Sequence, residues 1–170
     1  YRESAEQGYA SAQFNLAILY DNGYGVAQNK EEAAKWYRKA AEQGYAQAQC
    51  DLGYCYECGW GVTQDLAKAA EWYRKSAEQG NAIAQSNLGI FYENGRGVTK
   101  DLAKAVEWYR KSAEQGYARA QYNLGRCYHN EQGVARDLKK LWSGISKPQN
   151  KAGQMHNISL ENFTAMDMAV

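Results

Sequence analysis

The chain has 170 residues, a net charge of +1 and a sequence pI of about 7.8. That balance argues against a nucleic-acid binder, which needs a basic stripe to neutralise phosphates. No apolar run approaches the roughly eighteen residues of a membrane helix, so membrane insertion is not expected either.

From its first residues the sequence repeats itself. Tyr1 is not a methionine and falls in the middle of a repeat, so a fragment or a processed chain is expected, and no signal-peptide pattern opens it. Ala5-Glu6-Gln7-Gly8 returns at Ala41–Gly44, Ala77–Gly80 and Ala113–Gly116, each time 36 residues on. Leu16…Tyr20, Gly25-Val26 and Trp36-Tyr37 return in the same register. This divides the chain into 1–8, the end of an incomplete repeat, then copies at 9–44, 45–80, 81–116 and a degenerate 117–152, then a tail at 153–170.

Each copy reads as two helices. In the second copy the first helix is expected over about 46–57, with Ala46, Gln49, Leu52, Gly53 and Tyr56 on one face. The second is expected over about 65–79, with Leu66, Ala69, Trp72, Tyr73 and Ala77 as its buried stripe. Asp65, Asp101 and Asn29 suit N-caps, and Gly80 a left-handed C-terminal residue. Glu71–Lys75 and Arg74–Glu78 are expected as i,i+4 pairs on the outer face. Gly53, Gly89 and Gly125 sit inside helices, where glycine costs roughly 1 kcal/mol. Close approach of another backbone is the expected reason. Gly61 and Gly97 are expected to need positive φ. In the fourth copy Glu131 replaces a loop glycine, the Trp-Tyr pair is missing and Pro148 blocks a continued helix.

The pattern A-x-A-Q-x-x-L-G-x-x-Y, then N-G-x-G-V, then D-x-x-K-A-x-x-W-Y-x-K-A-A-E-Q-G, over residues 1–142, resembles the Sel1-like repeat, a relative of the tetratricopeptide repeat. The resemblance implies an all-α, right-handed solenoid whose concave face is lined by the first helix of each repeat. It also implies adaptor roles in bacterial proteins, with cytoplasmic, periplasmic or secreted locations all open. Some relatives carry a disulfide in every repeat. Here Cys50, Cys55, Cys58 and Cys127 fall at single substituted slots without that regular pairing, so free thiols are expected, with Cys58 the most exposed.

Catalytic and cofactor patterns do not assemble. No serine is followed three residues on by lysine, and the Gly23-x-Gly25 turns lack the third glycine and the lysine of a phosphate loop. His129 and His156 fit no zinc spacing with the cysteines. Cys55-x-x-Cys58 ends a helix, where the dipole disfavours a thiolate. No enzyme activity, cofactor or metal is therefore expected.

Function is sought instead in what varies between copies. Counting each copy from 9, 45, 81 and 117, slots 3, 6 and 10 of the first helix change while slots 2, 5, 8 and 12 hardly do. The varying slots form a stripe opposite the packed face. It runs Ser11, Phe14, Ile18; Gln47, Cys50, Tyr54; Ile83, Ser86, Ile90; Arg119, Tyr122, Arg126. Phe14, Ile18, Gln47, Tyr54, Ile83, Ser86, Ile90, Arg119, Tyr122 and Arg126 are the candidate groove residues, apolar in the middle and basic at the end. Residues 117–152 carry seven basic against two acidic residues. The expected partner is a protein or peptide segment with apolar anchors and an acidic end; the alternative is a structural spacer in a longer array. A monomer is expected, with contacts through the tail segment around Glu161, Phe163 and Asp167 allowed for.

Overall fold

The computed structural model describes residues 2–130 together with 132 and 133. The degenerate second helix of the fourth copy, Glu131, Pro148 and the tail lie outside the described residues. Among the described residues there are eight helices and no strand: α1 (Arg2–Glu6), α2 (Ala10–Asn22), α3 (Lys30–Glu42), α4 (Ala46–Cys58), α5 (Leu66–Glu78), α6 (Ala82–Asn94), α7 (Leu102–Glu114) and α8 (Ala118–His129).

Helices of this length are marginal alone in water, so packing must hold them. Each first helix packs on its own second helix, α2 on α3, α4 on α5 and α6 on α7. That second helix packs on the first helix of the next copy, through α3–α4, α5–α6 and α7–α8. The result is a helical solenoid in which every helix contacts mainly its sequence neighbours.

The ends of the helices follow from local chemistry. The Asp65, Asp101 and Asn29 side chains accept the backbone N–H groups of Lys68, Lys104 and Glu32 at 2.9–3.0 Å. Asn81 does the same for α6, accepting from Ala84 at 2.9 Å. Tyr9, Tyr45 and Tyr117 stand at that position elsewhere and make no such bond.

The recurring glutamines form a ladder that explains why they return. Gln13, Gln49 and Gln85 each donate to the carbonyl eight residues back (Ala5, Ala41, Ala77) at 3.1 Å. Gln43, Gln79 and Gln115 then donate to the Oε1 of Gln13, Gln49 and Gln85 at 2.7 Å. Each helix turn at a copy boundary is thereby tied by two side chains, each worth about 1 kcal/mol net. Ser76 and Ser112 add hydroxyl bonds to the carbonyls of Ala46 and Ala82 at 2.6 Å.

Two expectations need correction. Gly53 and Gly89 make room for a ring and not for a backbone. A Cβ on Gly53 would lie 2.8 Å from the Tyr73 ring, and one on Gly89 2.6 Å from the Tyr109 ring. Tyr73 and Tyr109 are fully buried as a result. The outer-face pairing also differs. Lys75 lies over the Trp72 ring at 4.1 Å instead of reaching Glu71. Lys39 over Trp36 at 3.9 Å and Lys111 over Trp108 at 4.3 Å repeat the arrangement. A half-buried tryptophan face offers the ammonium both an apolar bed for its stem and a negative quadrupole, which an exposed carboxylate does not.

Candidate functional site

Because α4, α6 and α8 occupy the same place in successive copies, their free faces can share one surface. They bound a cleft of about 440 Å³. From α4 come Cys50, Asp51, Tyr54 and Glu57; from α6, Ile83, Asn87, Ile90 and Phe91. Arg96 enters from the following loop, and Tyr117 and Arg119 close the α8 end.

Of the candidate groove residues, Tyr54, Ile83, Ile90 and Arg119 meet in this cleft. Tyr54 is 42% exposed between buried Gly53 and Cys55, and Ile83 is 48% exposed beside buried Ala84. The Tyr54 ring stands edge-on to Trp60 at 5.1 Å. Gln47 and Tyr122 are exposed and Ile18 is half-buried, but none of the three lines this cleft.

Slot 6 is not a surface slot throughout. Ser86 is fully buried, with no hydrogen-bond partner for its hydroxyl among the described residues, and Cys50 is buried beside it in register. Phe14 is half-buried, packed on Tyr37 and Tyr45 with ring centroids 5.9 and 5.1 Å away. Only Tyr122 stands open there, at the α8 end. Slot 6 is thus buried or half-buried in the first three copies, so its variation in part reflects packing.

Arg126 is likewise less free than its position suggests. It donates to Glu93 Oε2 at 2.7 Å, and the Tyr109 hydroxyl donates to the same carboxylate at 2.6 Å. One copy earlier Glu57 takes Arg96 at 2.7 Å and the Tyr73 hydroxyl at 2.6 Å. One copy earlier again, Asp21 takes Lys30 at 2.9 Å. These acids share slot 13, and the tyrosines are those of the Trp-Tyr pair. Burial and the neighbouring carboxylate hold both phenols above their ordinary range. The basic end of the cleft therefore rests on Arg119.

Sequence reasoning missed Asp51. Slot 7 holds Asn15, Asn87 and Asn123 in the other copies, and that single departure was the available signal. Burial, and then the negative charge of Asp21, lift its carboxyl to about 6. An acid whose folded pKa is raised binds its proton more tightly folded than unfolded. Its contribution to stability therefore falls as pH rises from about 4 to about 6 and stays lost above that. Asp51→Asn should raise the thermal midpoint by several degrees near pH 7, and the gain should vanish near pH 4. A difference that does not change with pH, measured by thermal melts, would contradict this.

All four cysteines are free thiols. Burial pushes Cys50 and Cys55 up to about 12 and Cys127 to about 11, which makes them poor nucleophiles at neutral pH. Among the described residues no group of three or more His, Cys, Asp or Glu is placed to hold a metal ion, and no helix is long and apolar enough to cross a membrane.

Comparisons with known proteins agree with the repeat fold. The family model described as Sel1 repeat matches residues 10–45, 46–81, 82–117 and 118–140. Repeats of this fold generally mediate protein–protein interaction, and proteins built on them are generally scaffolds without enzymatic activity. A Sel1 repeat protein from Oxalobacter formigenes is similar over 82% of this chain and 58% of its own, at 43% identity and a TM-score of 0.78. A protective antigen present in uropathogenic Escherichia coli strains, displaying an SLR fold, is similar over 86% of this chain and 31% of its own, at 42% identity and a TM-score of 0.83. Cysteine-rich protein B of Helicobacter pylori is similar over 72% of this chain and 93% of its own, at 29% identity and a TM-score of 0.59. The chain thus spans less than two thirds of the first two. No curated protein matches it.

Proposed function

The chain belongs to the Sel1 repeat family, and from that premise we propose that it is a protein-binding adaptor whose cleft along α4, α6 and α8 holds a peptide segment of a partner. One observation carries the reading: Tyr54 and Ile83 stand open in a shared cleft, at slots where helix packing makes no use of them, with half-buried Ile90 beside them. Apolar side chains gathered on an open surface are characteristic of contact sites. Apolar anchors in a pocket that water can leave carry most of the affinity of such complexes. Arg119 at the α8 end suits an acidic group on the segment and sets its orientation and association rate.

Non-enzymatic binding fits the cleft chemistry. Its thiol, Cys50, is held protonated by burial; of its two carboxylates, Glu57 is occupied by Arg96 and Tyr73, and Asp51 has no nucleophile hydrogen-bonded to it among the described residues.

The test is a paired substitution. Tyr54→Ala with Ile90→Ala should abolish binding of a partner recovered with the parent protein and leave the circular-dichroism spectrum unchanged, with the melting midpoint lowered by a few degrees because half-buried Ile90 also packs against the core beneath α7 and α8. Arg119→Glu alone should slow association and remove its salt dependence. Parent-like affinity in the double variant would overturn the cleft reading. A chain that retains no partner at all would favour the second reading, a spacer within a longer array, which draws on the chain's covering 31% of the antigen's length.

A further inference from the structure

Asp21, Glu57 and Glu93 each hold a cation of the chain itself: Lys30 at 2.9 Å, Arg96 at 2.7 Å and Arg126 at 2.7 Å. Asp51 does not. It lines the cleft, it is half-buried, and among the described residues nothing donates a hydrogen bond or an ion pair to it. Nor does packing demand an acid there, since the slot holds asparagine in the three other copies. The carboxylate therefore adds a negative charge inside the cleft that the fold leaves uncompensated.

What surrounds it narrows the complementary group. Tyr54 lies three residues on, along the same face of α4, and Ile90 lines the same cleft from α6. A group that matches this place has an apolar stem several carbons long and a positive tip. Arginine and lysine side chains have that form. We propose that Asp51 anchors a basic side chain of the bound peptide segment, with the stem of that side chain lying along Tyr54 and Ile90. Arg119, at the other end of the same cleft, takes the acidic group. The segment is then basic, apolar and acidic in space from α4 to α8. Burial holds the Asp51 carboxyl at about 6, the mark of an anion short of a partner, and a bound guanidinium or ammonium would supply one.

This inference rests on the cleft reading given above, and the experiment separates the two. Two probes, N-acetyl-leucyl-arginine amide and its neutral citrulline counterpart, are titrated into isotope-labelled protein, and backbone amide shifts are followed by NMR. The arginine probe should move the Asp51, Tyr54 and Ile90 amides saturably and bind at least about fivefold more tightly than the citrulline probe, the size expected of one partly screened charge pair. Asp51→Asn restores the residue of the other copies, so it should fold normally, and it should bring the two probes to equal affinity. Equal affinities for the parent protein would overturn the inference while leaving the cleft reading standing. An arginine preference that survives in Asp51→Asn would overturn it in favour of another acid, with Glu57 the first to examine. If neither probe moves a cleft amide, both readings fail together.

Discussion

Gly61→Val is expected to lower the thermal midpoint by about 10 °C, the fall that corresponds to roughly 3–5 kcal/mol in a chain of this size. Two costs combine. Gly61 has a φ of 67°, where a β-branched residue is strained by about 1–2 kcal/mol. Its Cβ would also run into the backbone carbonyl of Lys30, at the start of α3 in the preceding copy. A backbone group at a helix N-terminus cannot step aside as a side-chain tip can, so the loop or the helix must move. Gly97 meets the Leu66 carbonyl in the same way, which makes this contact a repeated interlock between copies. Gly25 separates the two costs. Its φ is 71°, yet among the described residues nothing lies within 4 Å of an added Cβ. Gly25→Val should therefore show the strain alone, about 1–2 kcal/mol. Equal losses for the two variants would remove the interlock from the explanation of how the copies stack.

Glu93→Ala is expected to cost on the order of 3 kcal/mol, because two donors lose their acceptor at once. Glu93 is 8% exposed and takes both the Tyr109 hydroxyl and the Arg126 guanidinium. The first of these belongs to α7 and the second to α8, so the carboxylate of α6 ties three helices. Glu93→Gln keeps the shape and one acceptor oxygen and should lose about half as much. Asp21→Ala removes a more open pair with Lys30 and should lose less than 1 kcal/mol. Urea denaturation of the three variants checks the order. If Asp21→Ala matched Glu93→Ala, burial would not be what gives the acid at this slot its weight. Arg126→Glu would break the same cluster, which is why Arg119 alone is the clean probe of charge in the cleft.

Much of the fold was legible because the chain states it several times. Four registers of Leu…Tyr and Gly-Val, and three of Trp-Tyr, fixed the helix pairs, and the caps at Asp65 and Asp101 fell where the first buried residue of each second helix required them. Repetition could not say what a residue touches. Gly53 was correctly marked as a place of close approach, but a sequence does not distinguish a ring from a backbone as the thing approaching. The cleft was half legible for a related reason. Comparing copies reveals which slots vary, and variation has two physical causes. At Tyr54 and Ile83 the slot is open; at Ser86 it is sealed, and the residue varies with the size of the hole it fills. Arg126 looked like surface charge because its partner, Glu93, lies 33 positions away in another copy. Asp51 was passed over because its slot varies by one atom type, asparagine to aspartate, a change small in volume and large in charge.

The most direct test of the cleft places a photo-cross-linking residue, p-benzoyl-phenylalanine, at Ile83 inside it and, separately, at Glu71 on the exposed side of α5. With the recovered partner present, illumination should attach the partner through position 83 and leave position 71 bare. Attachment through position 71 with none through position 83 would contradict the assignment of the cleft along α4, α6 and α8 as the binding surface.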